Sequence, residues 1–191
     1  MIFKKLFSYS DRTKAAHGLY SSLVEQARQP VFYVDFDVPD TLDGRFDMIV
    51  LHAALVLRRL KQDAEKTRDL SQALFDYMFD DFDQNLRELG IGDMGVGTRV
   101  KKMAKAFYGR LAAYDEGLSM DDDASLIAAI ERNLFHASEP SVDQLSRLAI
   151  YTRQAWSDLE GQDIERILAG HIDFGSPPTL NDGEMDGVGK S

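Results

Sequence analysis

Apolar residues recur at helical spacing along most of the chain. Between Asp11 and Arg28, the residues Ala16, Leu19, Tyr20, Leu23, Val24 and Ala27 share one face and predict a helix. Pro30 ends it, because proline lacks an amide donor and biases the residue before it away from helical geometry. The following VFYVDFDV, residues 31–38, is rich in β-branched and aromatic side chains and reads as a short extended segment with no obvious second strand. Thr41 or Asp43 can cap the next helix, from about Asp43 to Glu65. It is apolar on nearly every side from Met48 to Leu57, where a surface helix would carry a polar stripe, so it should run through the centre of the fold.

From Ser71 to Glu88 the pattern becomes two-sided. Leu74, Phe75, Met78, Phe79, Phe82, Leu86 and Leu89 occupy one arc, with Asp76, Asp80, Asp83 and Arg87 opposite. A glycine-rich link, GIGDMGVG, leads to an amphipathic helix from about Thr98 to Tyr114. Three more helices are predicted at Ala124–Phe135, Val142–Asp158 and Ile164–Ala169, with Ser141 and Gln144 spaced as a capping box before the second. The final GSPPTLNDGEMDGVGKS offers too little apolar material to fold. The expected architecture is all-α: one compact domain of about six to seven helices over residues 1–174, then a disordered tail over 175–191.

A chain of 191 residues is long enough to bury a substantial core. It contains no cysteine, which excludes disulfides, thiolate metal sites and a cysteine nucleophile and suits a reducing compartment. The net charge of −10 disfavours nonspecific contact with nucleic acid, so no DNA partner is expected. No apolar run reaches the length of a membrane span. The opening MIFKKLFS is too short for a secretory signal; Phe3, Leu6 and Phe7 are expected to tuck onto the domain, or to make a weak membrane or partner contact.

No catalytic constellation, cofactor fingerprint or metal set emerges. Gly90, Gly92 and Gly95 satisfy the dinucleotide pattern GxGxxG, but that mechanism requires a preceding strand, and FDQNLREL is helical in period. A helix stop at Gly90 is the simpler reading. Asp76, Asp80 and Asp83 point away from the apolar arc. The run Asp121–Asp123 lacks a calcium loop's glycine and final glutamate, having Leu126 and Arg132 in those places. His17, His52, His136 and His171 are scattered over separate segments. His52 lies inside the apolar central helix and is expected to be a core histidine with its hydrogen bonds satisfied, rather than a haem ligand or a base.

The strongest candidate binding feature is basic. No acid occurs between Asp93 and Asp115, whereas Arg99, Lys101, Lys102, Lys105 and Arg110 do. Val100, Met103, Ala104, Phe107, Leu111 and Tyr114 face the other way, with Arg110 at the rim. Such a face could pair with the acidic helix before it, or it could receive an acidic protein segment or ribosomal RNA.

The segments LYSSLVEQARQPVFY, VPDTLDGRFDMIVLHAALVLRRL and LFDYMFDDFDQNLRELGIGDMGVGTRVKKMAKAFYGRLAAYDEGL resemble the ubiquinol–cytochrome c chaperone family over roughly Leu19 to Leu118. The acidic helix, LRE, GIGD, basic helix and GR-x-x-x-Y follow in its order. The resemblance implies a non-catalytic helical chaperone that holds newly made cytochrome b during assembly of the cytochrome bc complex, respiratory complex III. With no organelle-targeting segment apparent, it implies a bacterial form working in the cytoplasm or at the inner membrane face, with the ribosome as a possible second contact. Arg45, in DTLDGRFD, is expected to fix its turn to a neighbouring acidic helix. The competing readings are a haem- or small-ligand-binding protein and an RNA-associated module.

Overall fold

The computed structural model describes residues 9–136 and 138–177. The described residues form eight helices and no strand: α1 (Tyr9–Ala27), α2 (Pro30–Val34), α3 (Leu42–Gln62), α4 (Ala64–Glu88), α5 (Asp93–Ser119), α6 (Ala124–Leu134), α7 (Val142–Glu160) and α8 (Ile164–Leu168). The expectations for MIFKKLFS and for the tail from residue 178 lie outside the described residues. α3 is the axis. Every residue from Phe46 to Val56 is buried, and α1, α4, α5, α6 and α7 all pack against it. Its lack of a polar stripe is thus the signature of a helix enclosed on all sides.

The expected extended segment at 31–38 is instead a short helix followed by an irregular connection. Pro30 sits in the first turn of α2, where its missing amide costs nothing. In a strand, Phe32, Val34 and Phe36 would share a face. Phe32 and Phe36 are wholly buried, whereas Val34 is 73% exposed, the outcome of an i, i+4 period. Thr41 caps α3 by accepting from the Gly44 amide, and Ser141 and Gln144 form the capping box of α7. The Gln144 side chain also donates to the Asp35 carbonyl and to Asp37, tying α7 to the α2–α3 connection.

α4 begins at Ala64, earlier than expected, with Asp63 alone separating it from α3. It ends in a Schellman motif: Gly90 adopts φ 79°, its amide bonds the Arg87 carbonyl, and the Ile91 amide bonds the Leu86 carbonyl. Only the start of the glycine-rich link is a turn, since α5 begins at Asp93 and takes Gly95 and Gly97 into its first turns. α5 and α6 approach unusually closely at Gly117, where an added Cβ would lie 2.7 Å from the Leu126 Cα.

Candidate functional site

On α5, Arg99, Lys101, Lys102 and Lys105 are all exposed, and among the described residues none of them forms an ion pair. The acidic helix therefore does not neutralise them. Arg87 takes Asp83 and Asp93, while Asp76 accepts from Gln72. Arg110 departs from this face. It turns inward, places Nη2 2.7 Å from Oδ1 of the fully buried Asp47, and lies over the Phe46 ring.

Asp47 is the chemically most unusual group. His136 Nδ1 stands 3.6 Å from its second oxygen. Burial pushes its carboxyl up to about 7, with Arg110 pulling it down and Asp43 adding to the rise. Burial, reinforced by the Asp47 charge, also raises the neighbouring Tyr114 phenol. These groups hold α3 to α5 and to the turn that follows α6. Nothing in the sequence separates Asp47 from its apolar neighbours, and its partner lies far along the chain.

His52 is a satisfied core residue. Nδ1 lies 2.8 Å from the Met48 carbonyl and Nε2 2.7 Å from the Tyr151 hydroxyl, which accepts in turn from Gln26. Phe32 and Phe174 pack edge-on to its ring. Burial lowers its pKa to about 4, partly offset by the bond to Met48. A neutral imidazole with both nitrogens engaged is not available to ligate haem or act as a base.

Other candidate groups are structural too. Asp123 pairs with Arg153, whose guanidinium also donates to the Met120 and Asp122 carbonyls and so locks the α5–α6 turn. Among the described residues no cluster of three His, Asp or Glu side chains could hold a metal. Arg45 lies over the Tyr33 ring of α2 but, contrary to expectation, forms no ion pair with an acidic helix among the described residues. It pairs instead with Asp40 at 2.6 Å, five residues back in the turn that leads into α3.

Two open grooves lie among the described residues. The first, about 390 Å³, lies between α3, α4 and α5; Leu57, Phe75, Phe107 and Leu111 line it together with Tyr108, Lys61 and Arg68. The second, about 290 Å³, lies between α1, α3, α4 and α5 over Phe46, Ile49, Phe82 and Leu86. Its rim mixes Arg28 and Arg45 with Asp81 and Glu88 and so prefers neither sign of charge. The sequence does mark Tyr108, a large aromatic outside the apolar arc of α5, but the grooves depend on helix crossings that no local pattern shows.

Residues 34–174 match the profile of the ubiquinol-cytochrome C chaperone family. The chain is 29% identical over 154 residues to ubiquinol-cytochrome c reductase complex assembly factor 1 of Mus musculus, covering 81% of this chain and 52% of that protein. The Xenopus laevis counterpart is also 29% identical, with 83% of this chain and 79% of that one covered. The chain thus spans about half the length of the mouse relative. The crystal structure of the Cbp3 homolog from Brucella abortus superposes with a TM-score of 0.75 at 36% identity, covering 91% of this chain and 98% of that one.

Proposed function

We infer the function from one premise: the chain belongs to the ubiquinol-cytochrome C chaperone family. It is a non-catalytic assembly chaperone for ubiquinol–cytochrome c reductase, complex III. Its client is cytochrome b, held between leaving the ribosome and joining the complex, in the cytoplasm or at the inner face of the membrane. The observation that carries this reading is the family match over residues 34–174, supported by the 36% identity to the Brucella structure over nearly the whole chain. The site fits a holding role. Asp47 pairs with Arg110 and His52 bonds Tyr151, and what faces solvent is an apolar groove beside cations. No helix among the described residues is long and apolar enough to cross a membrane.

Arg99, Lys101, Lys102 and Lys105 form the client-facing surface in this reading, and Arg110 supports it from within through Asp47. The tagged protein purified from its own host should bring down cytochrome b. A different membrane protein in the eluate would keep the chaperone class and change the client; an eluate without partners, from a folded protein, would overturn stable holding. Reversing Lys101, Lys102 and Lys105 to glutamate should abolish capture without lowering the melting temperature, because none of them contributes an ion pair to the fold. Capture unaffected by the triple reversal would remove this face from the mechanism.

A further inference from the structure

We propose that the groove between α3, α4 and α5 is the seat for an amphipathic helix of a partner protein whose apolar face is flanked by carboxylates. The proposal rests on the chaperone reading and specifies the chemistry of the client segment.

Three observations point to this occupant. First, the groove floor is apolar, and a large aromatic side chain is held in solvent at its lip. Tyr108 is 59% exposed, yet it stacks on Phe75 with centroids 5.6 Å apart and planes 27° from parallel. Phe75 in turn packs on Phe79 and Phe107. A rigid, partly solvated aromatic beside an apolar depression is the usual anatomy of a protein-binding anchor. Second, the polar side chains in the lining are largely engaged within the protein: the buried Thr67 hydroxyl donates to the Leu60 carbonyl and the Gln72 amide to Asp76.

Third, the lip carries one sign of charge. Lys61 and Arg68 line the groove, and Lys105 and Lys101 precede Tyr108 by three and seven residues on the same helical face. Among the acids of the neighbouring helices, Asp115 is ion-paired, with Arg58 and Lys61. Arg68, Lys101 and Lys105 have no ion-pair partner among the described residues. In a chain of net charge −10, this cationic lip selects for carboxylates where the rest of the surface repels them. A helix fits better than a strand, because the described residues offer no sheet edge to extend, whereas a groove between helices takes anchors at i, i+3, i+4 and i+7.

The test uses two labelled amphipathic helical peptides with the same leucine face, one flanked by glutamates and its twin by lysines. Fluorescence anisotropy with the full chain at low salt should show the glutamate peptide binding at least about tenfold tighter. Tyr108→Ala should weaken it several-fold. The pair Lys101→Glu and Lys105→Glu should abolish or reverse the preference. Arg166→Glu, an exposed reversal on α8 outside the groove lining, should leave it nearly intact. Equal binding of the twins, no binding of either, or indifference to Tyr108→Ala would overturn the proposal. The same variants tagged in the host separate the two readings. If wild type captures cytochrome b and Tyr108→Ala with Lys105→Glu captures it equally, the groove is not the seat while the chaperone reading stands. If wild type captures none, the client assignment fails and the peptides alone judge the groove.

Discussion

Two buried side chains make opposite demands on pH. His52 has a folded pKa of about 4 against an ordinary 6.5, so the unfolded chain binds more protons between those values and acidification destabilises the fold. Asp47 has a folded pKa of about 7 against 3.8, so the folded chain holds the extra proton and acidification stabilises it. The shifts correspond to about 3 and about 4 kcal/mol, so they nearly cancel between pH 7 and pH 4. Asp47→Asn removes one side of that balance. Its unfolding free energy in urea should fall by about 3 kcal/mol over that range, while the contribution of this pair leaves wild type nearly flat. Parallel profiles would mean that Arg110 keeps Asp47 ionised throughout. The burial of His52 was legible from its place in the apolar run of α3. Asp47 was not, because one carboxylate beside such a run looks the same whether it ends at the surface or meets an arginine on α5.

At the scale of elements, the glycines of α5 separate two roles that the sequence leaves indistinguishable. At Gly117 a Cβ would meet the Leu126 backbone, at 2.7 Å from Cα and 2.9 Å from N, and backbone cannot step aside as a flexible side chain can. Gly117→Ala should therefore push α6 away and cost about 1–3 kcal/mol. Gly109 has nothing within 4 Å of the same position, so Gly109→Ala should stabilise by about 0.4–1 kcal/mol by restricting the unfolded chain. Urea midpoints read both, and like signs would refute the account. Periodicity placed seven of the eight described helices, and local chemistry placed the Thr41 and Ser141 caps, because those signals lie within one or two turns. It failed at residues 31–38, where β-branched and aromatic composition suggested a strand. What decides that segment is which of Phe32, Val34 and Phe36 the core accepts, a tertiary fact.

Across the whole molecule, charge is partitioned. Arg99, Lys101, Lys102 and Lys105 of α5 have no ion-pair partner among the described residues, in a chain whose net charge is −10, and the α3–α4–α5 groove gathers Lys61 and Arg68 with Tyr108 from helices some forty residues apart in sequence. The four exposed cations were visible from the acid-free stretch alone; the groove needed the crossing of three helices. The partition also separates a protein client from a nucleic-acid one. Against single-stranded RNA, four neutralised phosphates give a log–log salt slope near −3, a loss of roughly fiftyfold between 50 and 200 mM salt. The molecule's overall negative field would oppose such binding at long range. An apolar anchor with flanking carboxylates loses its electrostatic steering to salt but keeps its buried contact. Affinity for the client segment should therefore fall less than about tenfold over that range, with most of the loss in the association rate. Stopped-flow binding at several salt concentrations distinguishes the cases. A steep fall would mean that charge alone holds the segment, with no buried anchor in the groove, and a shallow one confined to association would leave the basic face of α5 steering an acidic helix into the groove.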